Sequence, residues 1–172
     1  MKRIAVLLIS LFVFAVSSVA FANYQTYLNG NHDLILCDGH MGMGYYVDRT
    51  SLVVQRYEPP QYIIAVNVVT AVSAIGDERD FYAGGRGTIT NVRTMRFFYN
   101  WDLRQMYVGP VENDNWRFIP PTGSWAENGV SMPAGEIAFY LAYHMKFYGS
   151  KSFYNQFLKR DVMVYTDEFY TR

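Results

Sequence analysis

Cysteine appears once in these 172 residues. An internal disulfide is therefore excluded, and Cys37 is either a small buried hydrophobe or a thiol open to pairing with another chain. Charge of one sign is also lacking, with 15 basic and 15 acidic side chains. No internal repeat and no low-complexity tract is present, and beyond the first 22 residues no apolar run is long enough to span a bilayer.

The first 22 residues read as an export leader. Lys2 and Arg3 precede an apolar run from Ile4 to Val16, and Ala20-Phe21-Ala22 offers the small-x-small pattern of a cleavage site. An uncleaved anchor is the competing reading, which the early charges and the A-x-A ending disfavour. No cysteine stands at the cleavage point, so a lipoprotein is excluded. Cleavage would leave residues 23–172 as one domain-sized globular unit, exported to the periplasm, the cell surface or the medium. Removing Lys2 and Arg3 leaves 13 basic against 15 acidic side chains. That slight negative balance argues against nucleic acid as a partner.

Aromatic residues are abundant instead, with 15 Tyr and 12 Phe. Rings bury large areas at little entropic cost and suit a core that has no covalent staples. Leu34–Cys37 reads as a short strand, and Gly39, Gly42 and Gly44 bracket a loop. Tyr45-Tyr46-Val47 is a strand that breaks at Asp48-Arg49-Thr50 and resumes from Ser51 to Tyr57. Pro59 and Pro60 must interrupt pairing, since proline donates nothing to a ladder. Tyr62–Ile75 is apolar on both faces, which marks a central strand, with Asn67 its polar exception. Gly76–Gly87 reads as a mobile hairpin connection.

The segment Val92–Val108 is crowded with rings. Met95, Phe97 and Tyr99 fall on one face at period two, Asn100-Trp101-Asp102 suits a tight turn, and Leu103–Val108 returns antiparallel. Strand spacing favours a core role for these rings over an exposed recognition face. A short strand, Trp116–Ile119, precedes a long loop, Pro120–Met132. A helix is predicted from Ser131 or Met132 as cap, with Pro133 in its first turn and Glu136 soon after, where a negative charge suits the helix dipole; its apolar stripe runs over Glu136–Tyr148 and Gly149 is its stop. A second helix would follow Ser150, with Phe153, Tyr154, Phe157 and Leu158 on its apolar side, and Val162–Tyr165 would add a strand. The fold class is α+β: an antiparallel meander of about six or seven strands, open or barrel-like, packed with one or two C-terminal helices.

Chemistry-bearing clusters are incomplete. His32, Cys37 and His40 match no common zinc spacing. His144 lies on the predicted apolar stripe, where a core histidine is the usual occupant and a thiolate pair with Cys37 has no local signature. Ala83–Thr88 (AGGRGT) lacks the lysine and the following helix of a phosphate loop. Asp77, Glu78 and Asp80 share one loop and Glu112 and Asp114 another, as solvated acids commonly do. Asn113-Asp114-Asn115 lacks the twelve-residue calcium pattern. No catalytic, cofactor or metal residue is assigned.

Tyr45-Tyr46-Val47-Asp48-x-x-Ser51-Leu52, followed by Tyr62–Thr70 and Arg93–Tyr99, resembles small bacterial exported proteins of the surface-adhesin protein E kind. The resemblance covers Gly44–Val108. It departs from those proteins in lacking paired cysteines and in ending with helices. It implies a non-enzymatic surface or periplasmic protein that adheres to host molecules. The expectation is a non-catalytic binding or envelope-associated module for a protein or glycan ligand, with Tyr82, Arg86 and Trp125 on the two long loops as partner contacts. The rival readings are a small secreted hydrolase and a self-assembling envelope protein, the latter including a Cys37-linked dimer. Amino-terminal sequencing of the exported protein is expected to begin at Asn23; an intact Met1 would remove the leader.

Overall fold

The structure, a computed structural model, describes residues 24–156 and 158–171; the leader lies outside the described residues. Six strands form one antiparallel meander in chain order: β1 (Leu34–His40), β2 (Met43–Glu58), β3 (Gln61–Ser73), β4 (Gly87–Asn100), β5 (Gln105–Gly109) and β6 (Arg117–Ile119). The sheet curls into a half-barrel. The short helices α1 (Glu78–Tyr82) and α2 (Trp125–Asn128) lie in the two long connections, and α3 (Ser131–Tyr143) packs across β1, β2, β3 and β5. A separate hairpin, β7 (Ser152–Asn155) and β8 (Arg160–Met163), follows. The α+β meander expected from the sequence is the observed architecture. No helix among the described residues is long and apolar enough to cross a membrane.

β3 is central, as its two apolar faces required. Tyr62, Ile64, Val66 and Val68 join the main core beneath α3, while Val69 and Ala71 reach a smaller cluster with Tyr24, Leu28, Tyr46 and Phe81. Met95, Phe97 and Tyr99 of β4 are buried in the main core, so the ring-rich segment fills an interior. The glycine loop shrinks to a two-residue turn, with positive φ at both Met41 and Gly42, the geometry that matches strand twist in a tight hairpin. The expected break in β2 is a bulge instead. Asp48 opposes Asn67 and Val53 opposes Ala65, so residues 49–52 stand against the single Val66 across the ladder. Asp48 Oδ1 accepts from the Thr50 amide at 3.0 Å. Ser51 Oγ donates to the Asp48 carbonyl at 2.6 Å and accepts from the Asn67 amide at 2.8 Å. The Asp-x-x-Ser spacing thus closes a bend while leaving no ladder amide of Asn67 unmet.

The C-terminal half departs further from expectation. α3 begins at Ser131, beside the expected cap and with Pro133 in its first turn, but ends sooner than predicted, where His144 turns left-handed (φ 54°). Gly149 does not stop it. Gly149 lies in a later turn against the Tyr170 hydroxyl, where a Cβ would collide. The predicted second helix is the β7–β8 hairpin. Half-buried Phe153 alternates with exposed Tyr154, so period two governs, and Asn155 Oδ1 closes the turn by accepting from the Leu158 amide at 3.0 Å. Gly76–Gly87 is not an open connection either, because α1 is capped by Asp77 and pinned by fully buried Phe81.

Glu136 holds this half together. It is fully buried on α3, and its carboxylate accepts from the amides of Phe147 at 2.8 Å, Tyr148 at 2.8 Å and Gly149 at 3.3 Å, and from the Tyr170 hydroxyl. Tyr148 extends the network: its hydroxyl donates to the Ile119 carbonyl at 2.6 Å and accepts from the Met106 amide at 2.9 Å. Burial raises the Glu136 carboxyl above its ordinary range, while the four donors pull it down. The folded state therefore holds the proton more tightly than the unfolded chain. Its contribution to stability is greatest at acid pH and declines as pH climbs from the ordinary carboxylate value to the raised one. Glu136→Gln turns one acceptor oxygen into a donor against backbone amides and is expected to cost about 2–4 kcal/mol in denaturant unfolding. Its stability should also lack that segment of the pH slope. A variant as stable as the parent would show the carboxylate to be dispensable.

Candidate functional site

A cleft of about 400 Å³ lies between the end of β1 and the α2–α3 segment. Its walls include Asp38 and Cys37 from β1, Trp125 and Asn128 from α2, Met132 from α3, and Tyr165 and Phe169 from the C-terminal segment. Trp125 is placed firmly. Ser124 and Glu127 form a capping box around the first turn of α2. The indole Nε1 donates to Asp38 Oδ2 at 2.9 Å, and its ring stacks on His40 with centroids 3.9 Å apart. The ring nonetheless remains 43% exposed, so it presents a fixed aromatic face.

The lining is acceptor-rich. Asp38 Oδ1 accepts from the Gly39 amide at 2.8 Å, and no cation bridges this carboxylate among the described residues. Asn128 is 3% exposed, and its Nδ2 donates to the Pro120 carbonyl at 2.9 Å. A carbonyl can only accept, so the amide orientation is fixed and Oδ1 faces elsewhere, where no protein donor meets it. The buried Tyr165 hydroxyl is likewise unmet. Burial holds its pKa well above the usual phenol range, so it stays protonated and able to donate or accept. Buried polar atoms without partners are few in folded proteins, and three residues lining this one cleft carry them: the Tyr24 hydroxyl is unmet beside the Asn128 and Tyr165 oxygens.

Of the three residues expected at a partner surface, Trp125 lines the cleft. Tyr82 is half-buried and stands behind it, its ring 5.5 Å from that of Tyr24, a cleft residue. Arg86 is exposed just before β4 and does not line the cleft. The residues considered for chemistry separate. His32 packs on Tyr27, His40 on Trp125, and Cys37 is buried with Sγ 3.3 Å from the Tyr45 carbonyl. Among the described residues, no group of three or more His, Cys, Asp or Glu side chains is placed to hold a metal. His144 is exposed at the end of α3 rather than buried in the core, because the helix stops before its stripe reaches that position. Asp77 caps α1, and Asp114 pairs with Arg96 at 2.7 Å. The AGGRGT amides are engaged locally, that of Gly85 by the Asp80 carbonyl and that of Gly87 by Asn29 Oδ1.

Compared with known proteins, the chain matches no family model, no curated protein and no solved structure. The site therefore rests on its own geometry. Sequence reading found Trp125 but missed Asp38, Asn128 and Tyr165 and weighed His40 only as a candidate metal ligand. Asp38 and Trp125 lie 87 residues apart, and no local pattern joins them. Asp38→Ala is expected to move the Trp125 indole N–H resonance upfield while lowering stability by about 1 kcal/mol or less. An unmoved indole resonance would mean that the bond does not hold the ring.

Proposed function

We propose that this chain is an exported, non-catalytic binding module whose ligand enters the cleft beside Trp125. The observation that carries the reading is the fixed, half-exposed indole above a recess whose Asn128 and Tyr165 oxygens have no protein partner. A rigid ring immobilises little side-chain entropy on binding, which is why such rings dominate recognition energy. The leader-like start and the resemblance of Gly44–Val108 to exported adhesins support placement in the envelope. The hydrolase reading lacks support from residues: its favoured pair puts His144 on the surface and Cys37 in the core. A dimer linked through Cys37 would require exposing a thiol that is 97% buried from a strand interior.

Trp125→Ala is expected to abolish capture of ligand from envelope extract, with the melting temperature nearly unchanged. Tyr82→Ala, behind the cleft, should weaken capture less than tenfold. Full capture by the Trp125 variant would remove this site from the function.

A further inference from the structure

We infer that the cleft beside Trp125 recognises a primary ammonium group carried on an alkyl or sugar skeleton. This deepens the binding reading and rests on it. The inference starts from what the walls supply. Asp38 contributes a formal negative charge, Asn128 a fixed carbonyl oxygen and Tyr165 a hydroxyl, and among the described residues no lysine or arginine lines the recess. Each of these oxygens can accept a hydrogen bond, and an alkylammonium has three N–H donors and one positive charge. A ligand rich in acceptors, such as a phosphate or carboxylate, would meet a carboxylate and a carbonyl with nothing to neutralise it.

The apolar walls point the same way. Trp125, Tyr165 and Phe169 bring rings to the cleft, and the negative face of an aromatic ring attracts a cation. Leu36, Met132 and Pro133 line the rest and suit the methylenes that carry an amine. Asp38 is held ready: its bonds to the Gly39 amide and the Trp125 indole fix the carboxylate but add no compensating charge. The Asn128 and Tyr165 oxygens are closed off from solvent in this conformation. Met132, whose sulfur lies 3.4 Å from Asn128 Nδ2, is the flexible part of that wall. An unbranched thioether can change rotamer at little cost, so the wall beside Asn128 can adapt to an entering ammonium. Asp38 receives the cation first, and the two orphaned oxygens complete its shell.

The test uses the mature protein, labelled for indole N–H resonances, at low ionic strength. The probes are n-butylamine and glucosamine, with N-acetylglucosamine as the neutral partner of the same ring. The expected result is a saturable shift of the Trp125 resonance by one or both amines, with N-acetylglucosamine at least about tenfold weaker. Binding by n-butylamine alone assigns an alkylamine such as a lysine side chain, and preferential binding of glucosamine assigns an amino sugar. Asp38→Asn, which retains an acceptor for the indole, should weaken amine binding about tenfold or more. Added salt should weaken binding to the parent protein, a readout that survives if the variant folds poorly. Equal or tighter binding of N-acetylglucosamine, or amine binding indifferent to both Asp38→Asn and salt, overturns the ammonium assignment. Silence of all three probes also overturns it; if Trp125→Ala still loses capture from envelope extract, the binding module stands without this ligand.

Discussion

A buried carboxylate organises the C-terminal third of this protein. Glu136 sits at zero exposure on α3, and the chain that leaves the helix folds back to give it three backbone amides, with Tyr170 adding a hydroxyl. Desolvating an acid is costly unless its lone pairs are met, so the turn at Phe147–Gly149 has little freedom to be anything else. That turn sets Tyr148 beneath β5 and β6, whose Met106 amide and Ile119 carbonyl it engages. The walls of the cleft at Tyr165 and Phe169 are positioned by the same returning segment. Glu136 therefore links helix, sheet and site through hydrogen bonds rather than through apolar contact alone.

Much of the sheet was legible because the physics that forms it is local. Period-two spacing at Met95, Phe97 and Tyr99 named the inward face of β4, and the two-sided apolar run of β3 named the centre. The Asp48–Ser51 bulge was visible only as a break, since its closure depends on the Asn67 amide 16 residues away. The C-terminal half was read less well for a related reason. Glu136 looked like a first-turn charge serving the helix dipole, whereas it is an interior acceptor. The start of the helix was read closely, but Gly149 was given the role of stop that left-handed His144 takes. Aromatic residues from Phe153 onward fitted a helical stripe as well as a strand, and tertiary pairing decided for the strand.

The site was half legible. A tryptophan in a long polar loop was visible as an anchor, but what makes it specific comes from β1, α2 and the residues after β8. Orphaned oxygens have no signature in a linear chain. Asn128 looked like one more loop asparagine, and only its bond to the Pro120 carbonyl shows which way its amide must face. The aromatic wealth that first drew the eye serves mainly as filling: Tyr62, Phe97, Tyr99, Phe139, Phe147 and Tyr148 interlock in the main core. Only a few rings at its margin, Trp125 among them, line the cleft.

The bond between Glu136 and Tyr170 spans 34 residues and draws on the far end of the described chain. A polypeptide threaded outward from its amino end can pair the meander early, because each strand meets its predecessor. It cannot dehydrate the α3 carboxylate until the stretch reaching Tyr170 has also emerged. Closure of the interior at Glu136 thereby waits for a stretch far along the chain, and the recess beside Trp125, two of whose walls come from that stretch, is completed with it.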